Sequence, residues 1–316
     1  MSYKEHLDKA KQGLEKHDFP VFMENTAVAK YLCQDDQSNY KEVLEFFLRG
    51  LYKFNAYRRA YEVVDELLPM LEGEEKYLYT NTKGVLKGQL GDYASAVDIF
   101  DMVYEEVESP DLKIRAINNL AWTYIYLYKT KSEPVFLDKA LEACNNGKDI
   151  IDQLNDPVSK KKLFTNLGTI KWYMEEYQEA LESFRMALEH SPDDPGIYNN
   201  IASTYAQTGD WDKAEENLHQ AELLADKTNN NLQKASTYRI RAEIAEMKED
   251  FLRAVDYYVV AHDEFSKGQA MVESHECAEK ADALMERVRR ETGEVIRKNL
   301  LLRQERNFGS DYKISL

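Results

Sequence analysis

Residues 164–194, FTNLGTIKWYMEEYQEALESFRMALEHSPDD, and residues 198–226, YNNIASTYAQTGDWDKAEENLHQAELLAD, repeat one pattern of large and small side chains. Each matched residue recurs after 34 positions. Similarity at one fixed spacing is the sequence signature of a repeat protein, in which each unit buries its apolar face against the next unit. The matched pairs are Phe164 and Tyr198, Leu167 and Ile201, Gly168 and Ala202, Tyr177 and Trp211, Ala180 and Ala214, Phe184 and Leu218, Ala187 and Ala221, and Pro192 and Asp226.

This pattern closely resembles the tetratricopeptide repeat, a helix-turn-helix unit. In that unit small residues let the two helices approach closely, and large residues fill the space between repeats. Lys83, Lys171 and Arg241 depart from the pattern, because they stand where a large apolar residue is usual. Weaker copies lie at residues 44–60, 84–100, 117–140 and 238–261, and a poorly matching first pair lies at 2–16 and 19–33.

The resemblance implies an all-α fold, a right-handed α-solenoid of about seven tetratricopeptide-like helix pairs, which we assign to residues 1–267. Two stretches exceed the repeat length. We expect KTKSEPVF, residues 129–136, to lengthen a turn, and DKTNNNLQK, residues 226–234, to form an extended loop.

Residues 268–316 follow a different pattern and are predicted to form a capping helix and a tail. Cys277, Ala281, Leu284 and Val288 are spaced 4-3-4, which places them on one apolar stripe of a helix. A terminal repeat needs a cover for its open face, so this stripe is expected to cap the array. A dimerising coiled coil is the alternative, and the protein is therefore expected to be a monomer or a homodimer through this helix.

Asparagine recurs along the first helix of several repeats, although it is a poor helix former. With Phe164 at position 4, positions 2, 6, 9 and 13 fall opposite the buried side of that helix, at about 100° per residue. In a stacked superhelix this side lines the concave groove. The candidate peptide-binding residues are Arg115 and Lys162 at position 2, Asn119, Asn166 and Asn200 at position 6, and Tyr126, Tyr173 and Gln207 at position 13.

A primary amide both donates and accepts a hydrogen bond, so it can pair with the backbone of an extended peptide. The position-6 amides are therefore expected to be exposed in the free protein, and the two cations to bind an acidic group. The alternative is that asparagines cap helices, as Asn81 and Asn199 at position 5 could. The combination resembles the bacterial signalling-peptide receptors of the Rap phosphatase type, without a DNA-binding domain. That resemblance implies an intracellular peptide sensor.

Composition narrows the function classes. A net charge of −16 argues against nucleic acid as a partner, because phosphate binding needs clustered cations. Seven basic residues in 286–306, against four glutamates, are expected to solvate a helix face. Three cysteines in no paired motif indicate a reducing compartment, and neither a signal peptide nor a membrane span is recognisable. We expect a cytoplasmic protein with a protein or peptide partner.

No motif predicts catalysis or a cofactor. His275 and Glu279 share a helix face, but Cys277 points away from them, so a metal site is not expected. The glycines of residues 84–93 lack the GK[ST] of a phosphate loop. The enzyme alternative is a phosphatase that acts through Gln12, His17 and Asp18. We expect a binding module and no enzyme.

Overall fold

The computed structural model describes residues 2–308, and the side chains of residues 2–294. Every regular element in these residues is a helix, and no strand occurs among them. The all-α prediction is therefore confirmed. In chain order the first fourteen α-helices form seven successive helix-turn-helix units, which is the predicted number, and a fifteenth helix follows. The chain divides into two compact units between Met174 and Glu175.

The first unit consists, within the described residues, of nine α-helices and one short 3-10 helix, Leu68–Met70. The α-helices are α1 Tyr3–Glu15, α2 Phe19–Cys33, α3 Gln37–Lys53, α4 Tyr57–Leu67, α5 Gly73–Gln89, α6 Tyr93–Glu106, α7 Pro110–Lys131, α8 Val135–Ile151 and α9 Pro157–Tyr173. Neighbouring helices in the chain pack against each other, and α5, α7 and α9 also pack directly on one another in that order.

The second unit consists, within the described residues, of six helices. They are α10 Tyr177–His190, α11 Pro195–Gln207, α12 Trp211–Lys227, α13 Asn231–Met247, α14 Phe251–Lys267 and α15 Met271–Phe308. Here α11 packs on α12 and α13, and α13 packs on α14.

Small residues set the distance between the helices of a pair, as the repeat pattern predicts. A Cβ atom on Gly84 of α5 would lie 2.6 Å from the ring of Phe100 on α6, so a larger residue there would push the two helices apart. In the second unit, the fully buried Ala202 and Ala214 pack in one cluster with Leu218. Close helix contact at these positions brings the side chains beside them within reach of the next helix.

The turns are short, and the expected extended loop is not present. Helix α12 continues to Lys227 and α13 begins at Asn231, so most of residues 226–234 is helical. Helix α7 likewise continues to Lys131, and three residues separate it from α8, which begins at Val135. The extra residues therefore lengthen helices, and the Asn230 side chain caps α13 by accepting from the backbone N–H of Gln233.

Two basic residues at apolar positions are paired with acids. Lys83 lies 2.5 Å from Asp65 on α4. Arg241, whose side chain is only 9% exposed, lies 2.7 Å from Glu222 and 2.9 Å from Glu215 of α12. Since a buried charge is costly unless it is paired, these contacts explain how the repeat pattern tolerates the two cations.

Helix α15 packs on α14. Cys277, Ala281 and Leu284 of the predicted apolar stripe are buried in one cluster with Tyr258 and Phe265 of α14. Residues 309–316 of the predicted tail, and the side chains of Arg297, Lys298, Arg303 and Arg306, lie outside the described part of the chain.

Candidate functional site

The first helices of two successive pairs, α7 and α9, present matching stripes of polar and aromatic side chains. We call this surface the α7–α9 face. Residues that follow one another at intervals of three or four positions lie on one side of a helix, so each stripe is continuous. The face consists of Arg115, Asn119, Trp122 and Tyr126 on α7, and of Lys162, Asn166, Thr169 and Tyr173 on α9.

The position-6 amides of this face bond to neighbouring helices. Asn166 is only 7% exposed, and its Nδ2 donates to the backbone oxygen of Asn118 on α7 at 3.0 Å. Asn119 is half-buried, and its Nδ2 donates to Oδ1 of Asn81 on α5 at 3.3 Å. The expectation that these amides stand exposed is therefore wrong for Asn166 and only partly met for Asn119. Helix packing is close enough here for an amide to reach across to the previous repeat.

The position-5 asparagines form a second, recurring bond in the opposite direction along the chain. Nδ2 of Asn118 donates to the backbone oxygen of Ser159 on α9 at 3.2 Å. In the second unit Nδ2 of Asn199 donates to the backbone oxygen of Gln233 on α13 at 3.4 Å. Both amides thus tie one first helix to the first turn of the next first helix.

Asn81 and Asn199 do not cap helices, which removes that alternative for them. Helix α11 is capped by Asp194, whose side chain accepts from the backbone of Gly196. Helix α5 begins at Gly73, far from Asn81. Side-chain bonds across helices, and not capping, therefore explain the buried asparagines.

The cations of the α7–α9 face lie close enough to influence one another. Desolvation and the nearby charges of Lys161 and Arg115 lower the pKa of Lys162 below its ordinary value. Hydrogen bonds from Ser159 and the charge of Arg115 lower the pKa of Asp156 at the start of α9. Three cations thus share this end of the face with one carboxylate, and an anionic group bound there would relieve their mutual repulsion.

Aromatic rings occupy the other end of the face. Tyr126 and Tyr173, the predicted contact residues at position 13, are half-buried. Tyr173 lies edge-on to Trp172 and to Tyr128, with ring centroids 5.0 and 5.2 Å apart. Tyr126 is stacked on Tyr93 and makes edge contact with Trp122.

Two residues of this face, both at position 9, are absent from the candidates predicted from the sequence: Thr169 and the much larger Trp122. Its side chain is 48% exposed, which is unusual for the largest apolar residue. It stands at position 9, which the helical wheel places on the same side as positions 2, 6 and 13. The signal was therefore present in the sequence, since only Trp122 among the position-9 residues is a large aromatic residue.

The remaining candidates lie on α11 in the second unit. Asn200 is half-buried and Gln207 is exposed at the end of the helix. Arg115 and Lys162 are both exposed on the first unit. The two sets belong to separate units.

Within residues 2–294 no three His, Cys, Asp or Glu side chains could together hold a metal ion. In the described part of the chain no helix has the length and apolarity that crossing a membrane requires. Of the phosphatase candidates, Asp18 caps α2 by accepting from Val21, and His17 contacts the ring of Phe54.

Family models of the tetratricopeptide repeat match residues 162–194 and 193–263. No curated protein matches the chain. The matched residues include the two copies of the pattern quoted above, and they agree with the helix pairs of the structure.

Solved structures with the same fold cover most of the chain. A signal transduction ATPase (STAND protein) with a tetratricopeptide-repeat sensor, from Pyrococcus horikoshii, is 17% identical with a TM-score of 0.59, covering 98% of this chain and 47% of that chain. A Rap protein complexed with competence and sporulation factor is 14% identical with a TM-score of 0.57, covering 84% of this chain and 81% of that chain. Aspartyl phosphate phosphatase F from Bacillus subtilis is 13% identical with a TM-score of 0.54, covering 83% of this chain and 75% of that chain. This chain spans about half the length of the first of these proteins.

Proposed function

We propose that this chain, a tetratricopeptide-repeat protein, is a binding module that holds an extended peptide segment of a partner protein on its first helices. The observation that carries the proposal is the α7–α9 face. It groups cations, amides and aromatic rings on two helices that pack side by side, and of the rings Trp122 is exposed while Tyr126 and Tyr173 are half-buried. The core residues of α7 and α9, such as Leu120 and Leu167, lie on other sides of these helices, and of the eight residues of the face only Asn166 is buried.

The contacts divide by chemistry. Arg115 and Lys162 bind an acidic group of the peptide, because they are cations close enough to repel each other. Asn119 pairs with peptide backbone, since it is half-buried and within reach of solvent. Asn166 contributes only if it gives up its bond to Asn118.

Tyr126 and Tyr173 complete the proposed contact set at the far ends of α7 and α9. The tyrosines offer flat contact area at a low cost in conformational entropy. On the second unit, the half-buried Asn200 and the exposed Gln207 of α11 form a separate candidate set, whose amides can donate and accept in the same way.

Capture from native extract tests the proposal. Immobilised wild type and the Arg115→Glu variant are compared with Lys139→Glu, which makes the same charge change on the exposed side of α8 in the same unit. We expect mass spectrometry to find a partner that wild type and Lys139→Glu retain and that Arg115→Glu loses. A partner set that is identical for all three proteins contradicts the assignment of the face.

A second candidate function is that of an intracellular sensor: a signalling peptide binds this chain and changes how it acts on a partner protein. The sensor could act with or without a phosphatase activity of its own. The likeness to a Rap protein complexed with competence and sporulation factor favours it, because that likeness covers 84% of this chain. A sensor must bind its peptide with different affinity in two conformations. Small-angle scattering with the captured partner's peptide separates the two functions. If the dimensions of the protein are unchanged when it is saturated with peptide, the sensor is excluded and the passive binding module remains. If no phosphate is released from the phosphorylated partner, phosphatase activity is excluded.

A further inference from the structure

Trp122 is held in place by its aromatic neighbours. Its indole meets the ring of Tyr126 edge-on, at a centroid distance of 5.0 Å and an angle of 70°. Tyr126 is in turn stacked on Tyr93 of α6 at 5.7 Å. Half of the indole nevertheless faces solvent. An oriented aromatic surface that is left in water gains free energy when another apolar group covers it.

The distance from this surface to the cations fits a short stretch of peptide. Trp122 follows Arg115 by seven residues on the same side of α7, which is about 10 Å along the helix axis. An extended peptide advances about 3.3 Å per residue. A side chain over Trp122 and a side chain at Arg115 are therefore about three residues apart in a peptide that runs along α7.

The charges around the surface select the kind of side chain. Nζ of Lys129 lies 5.3 Å from the ring centroid of Tyr126, and Arg115 and Lys162 stand toward the beginning of the two helices. A cationic side chain would meet these like charges, so it is disfavoured although indole faces attract cations. An aromatic side chain gains the edge or offset-stacked geometry that Trp122 and Tyr126 already show.

We propose that Trp122 determines the specificity of the module by packing against an aromatic side chain of the bound peptide, about three residues from an acidic side chain that Arg115 and Lys162 hold. The proposal rests on the proposed function, because it requires the peptide to bind on the α7–α9 face. It adds a requirement on the ligand that the cations and amides alone do not impose.

Selection from a phage-displayed random dodecapeptide library tests this. Wild type is compared with Trp122→Ala, Trp122→Phe and Tyr31→Ala, the last being a control that removes an exposed aromatic ring from α2. We expect the enriched peptides to share an acidic and an aromatic residue about three positions apart. Synthetic copies of these peptides should bind Trp122→Ala about tenfold more weakly by fluorescence anisotropy, with Trp122→Phe between the two and Tyr31→Ala unchanged.

The aromatic residue of an enriched peptide is then replaced. An alanine at that position should lower the affinity of wild type about tenfold and leave that of Trp122→Ala unchanged, because the two changes remove the same contact. Enriched peptides that depend on Arg115 but bind equally to wild type and Trp122→Ala overturn this inference and leave the proposed function standing. The inference is also overturned if peptides with leucine or arginine in place of the aromatic residue bind wild type as tightly as the original peptide. If no peptide is enriched, both proposals fail.

Discussion

Replacing Asn199 by alanine should destabilise the second unit, whereas replacing the adjacent Asn200 should not. Asn199 is 3% exposed. Its Nδ2 donates to the backbone oxygen of Gln233, and its Oδ1 accepts from Thr237 Oγ1 at 2.9 Å. Asn200 is half-buried, and its side chain makes no hydrogen bond within the described residues, while its backbone oxygen accepts from Thr204 Oγ1. The two variants therefore make the same chemical change, but only Asn199→Ala removes side-chain hydrogen bonds.

The magnitude follows from those hydrogen bonds. Two of them contribute about 0.5–1.5 kcal/mol each, so Asn199→Ala should lose about 1–3 kcal/mol of unfolding free energy. The upper end of that range is not expected, because Thr237 Oγ1 keeps its bond to Gln233 at 3.0 Å. Alanine favours a helix over asparagine by about 0.5 kcal/mol, and both variants gain this equally. Asn200→Ala should accordingly be neutral or slightly stabilised.

Urea unfolding followed by circular dichroism measures the difference, with thermal melting as a second probe. We expect the melting temperature of Asn199→Ala to lie below that of Asn200→Ala by about 2–4 °C for each kcal/mol. Equal stability of the two variants would refute the structural role of the position-5 amides. A loss of peptide binding in Asn199→Ala at unchanged stability would place that amide in the ligand site instead.

Four further predictions concern the C-terminal helix, the Arg241–Glu222 ion pair and the Cys144 thiol. A chain that ends at Lys267 should aggregate or melt at a lower temperature, because the core of the last repeat is uncovered. A chain that ends at Glu294 keeps the packed part of α15 and should melt like the full chain. If the chain ending at Lys267 stays monomeric and melts unchanged, α15 is instead an interaction arm. Arg241→Met should lose about 2–4 kcal/mol in urea unfolding, because the partly buried carboxylate of Glu222 loses its partner; wild-type stability would contradict this. Burial alone would raise the pKa of the Glu222 carboxyl, but hydrogen bonds from Tyr238 and Arg241 and the charge of Arg241 hold this pKa below its ordinary value of 4.5. The stability that this carboxylate contributes is therefore complete above about pH 4.5 and is lost as the pH falls through the lower pKa of the folded state. Glu222→Gln should flatten this acid dependence of unfolding, and acid unfolding identical to that of wild type would contradict the prediction. Burial raises the pKa of the Cys144 thiol to about 12, so iodoacetamide should leave it unmodified at pH 8 until urea unfolds the chain, and rapid labelling of the native protein would be inconsistent with its burial.

The repeat pattern was sufficient to predict the helices and their pairing order. Ala202 and Ala214 are small in the sequence, and both are fully buried where two helices meet. The period fails to predict loop length, as α12 and α13 show by absorbing most of residues 226–234. Local sequence sets where a helix can begin, but it does not say how far the preceding helix extends once its last turn is packed.

The sequence by itself determined which residues of each first helix share a side, because that follows from the helical period alone. Arg115, Asn119, Trp122 and Tyr126 are on one stripe for this reason. Only the tertiary structure decided that Asn166 bonds to Asn118 and is buried. The period fixes a side chain's direction about its own helix axis. Whether it meets solvent or a neighbouring carbonyl depends on the distance and offset of the next helix, which small residues elsewhere in the repeat set.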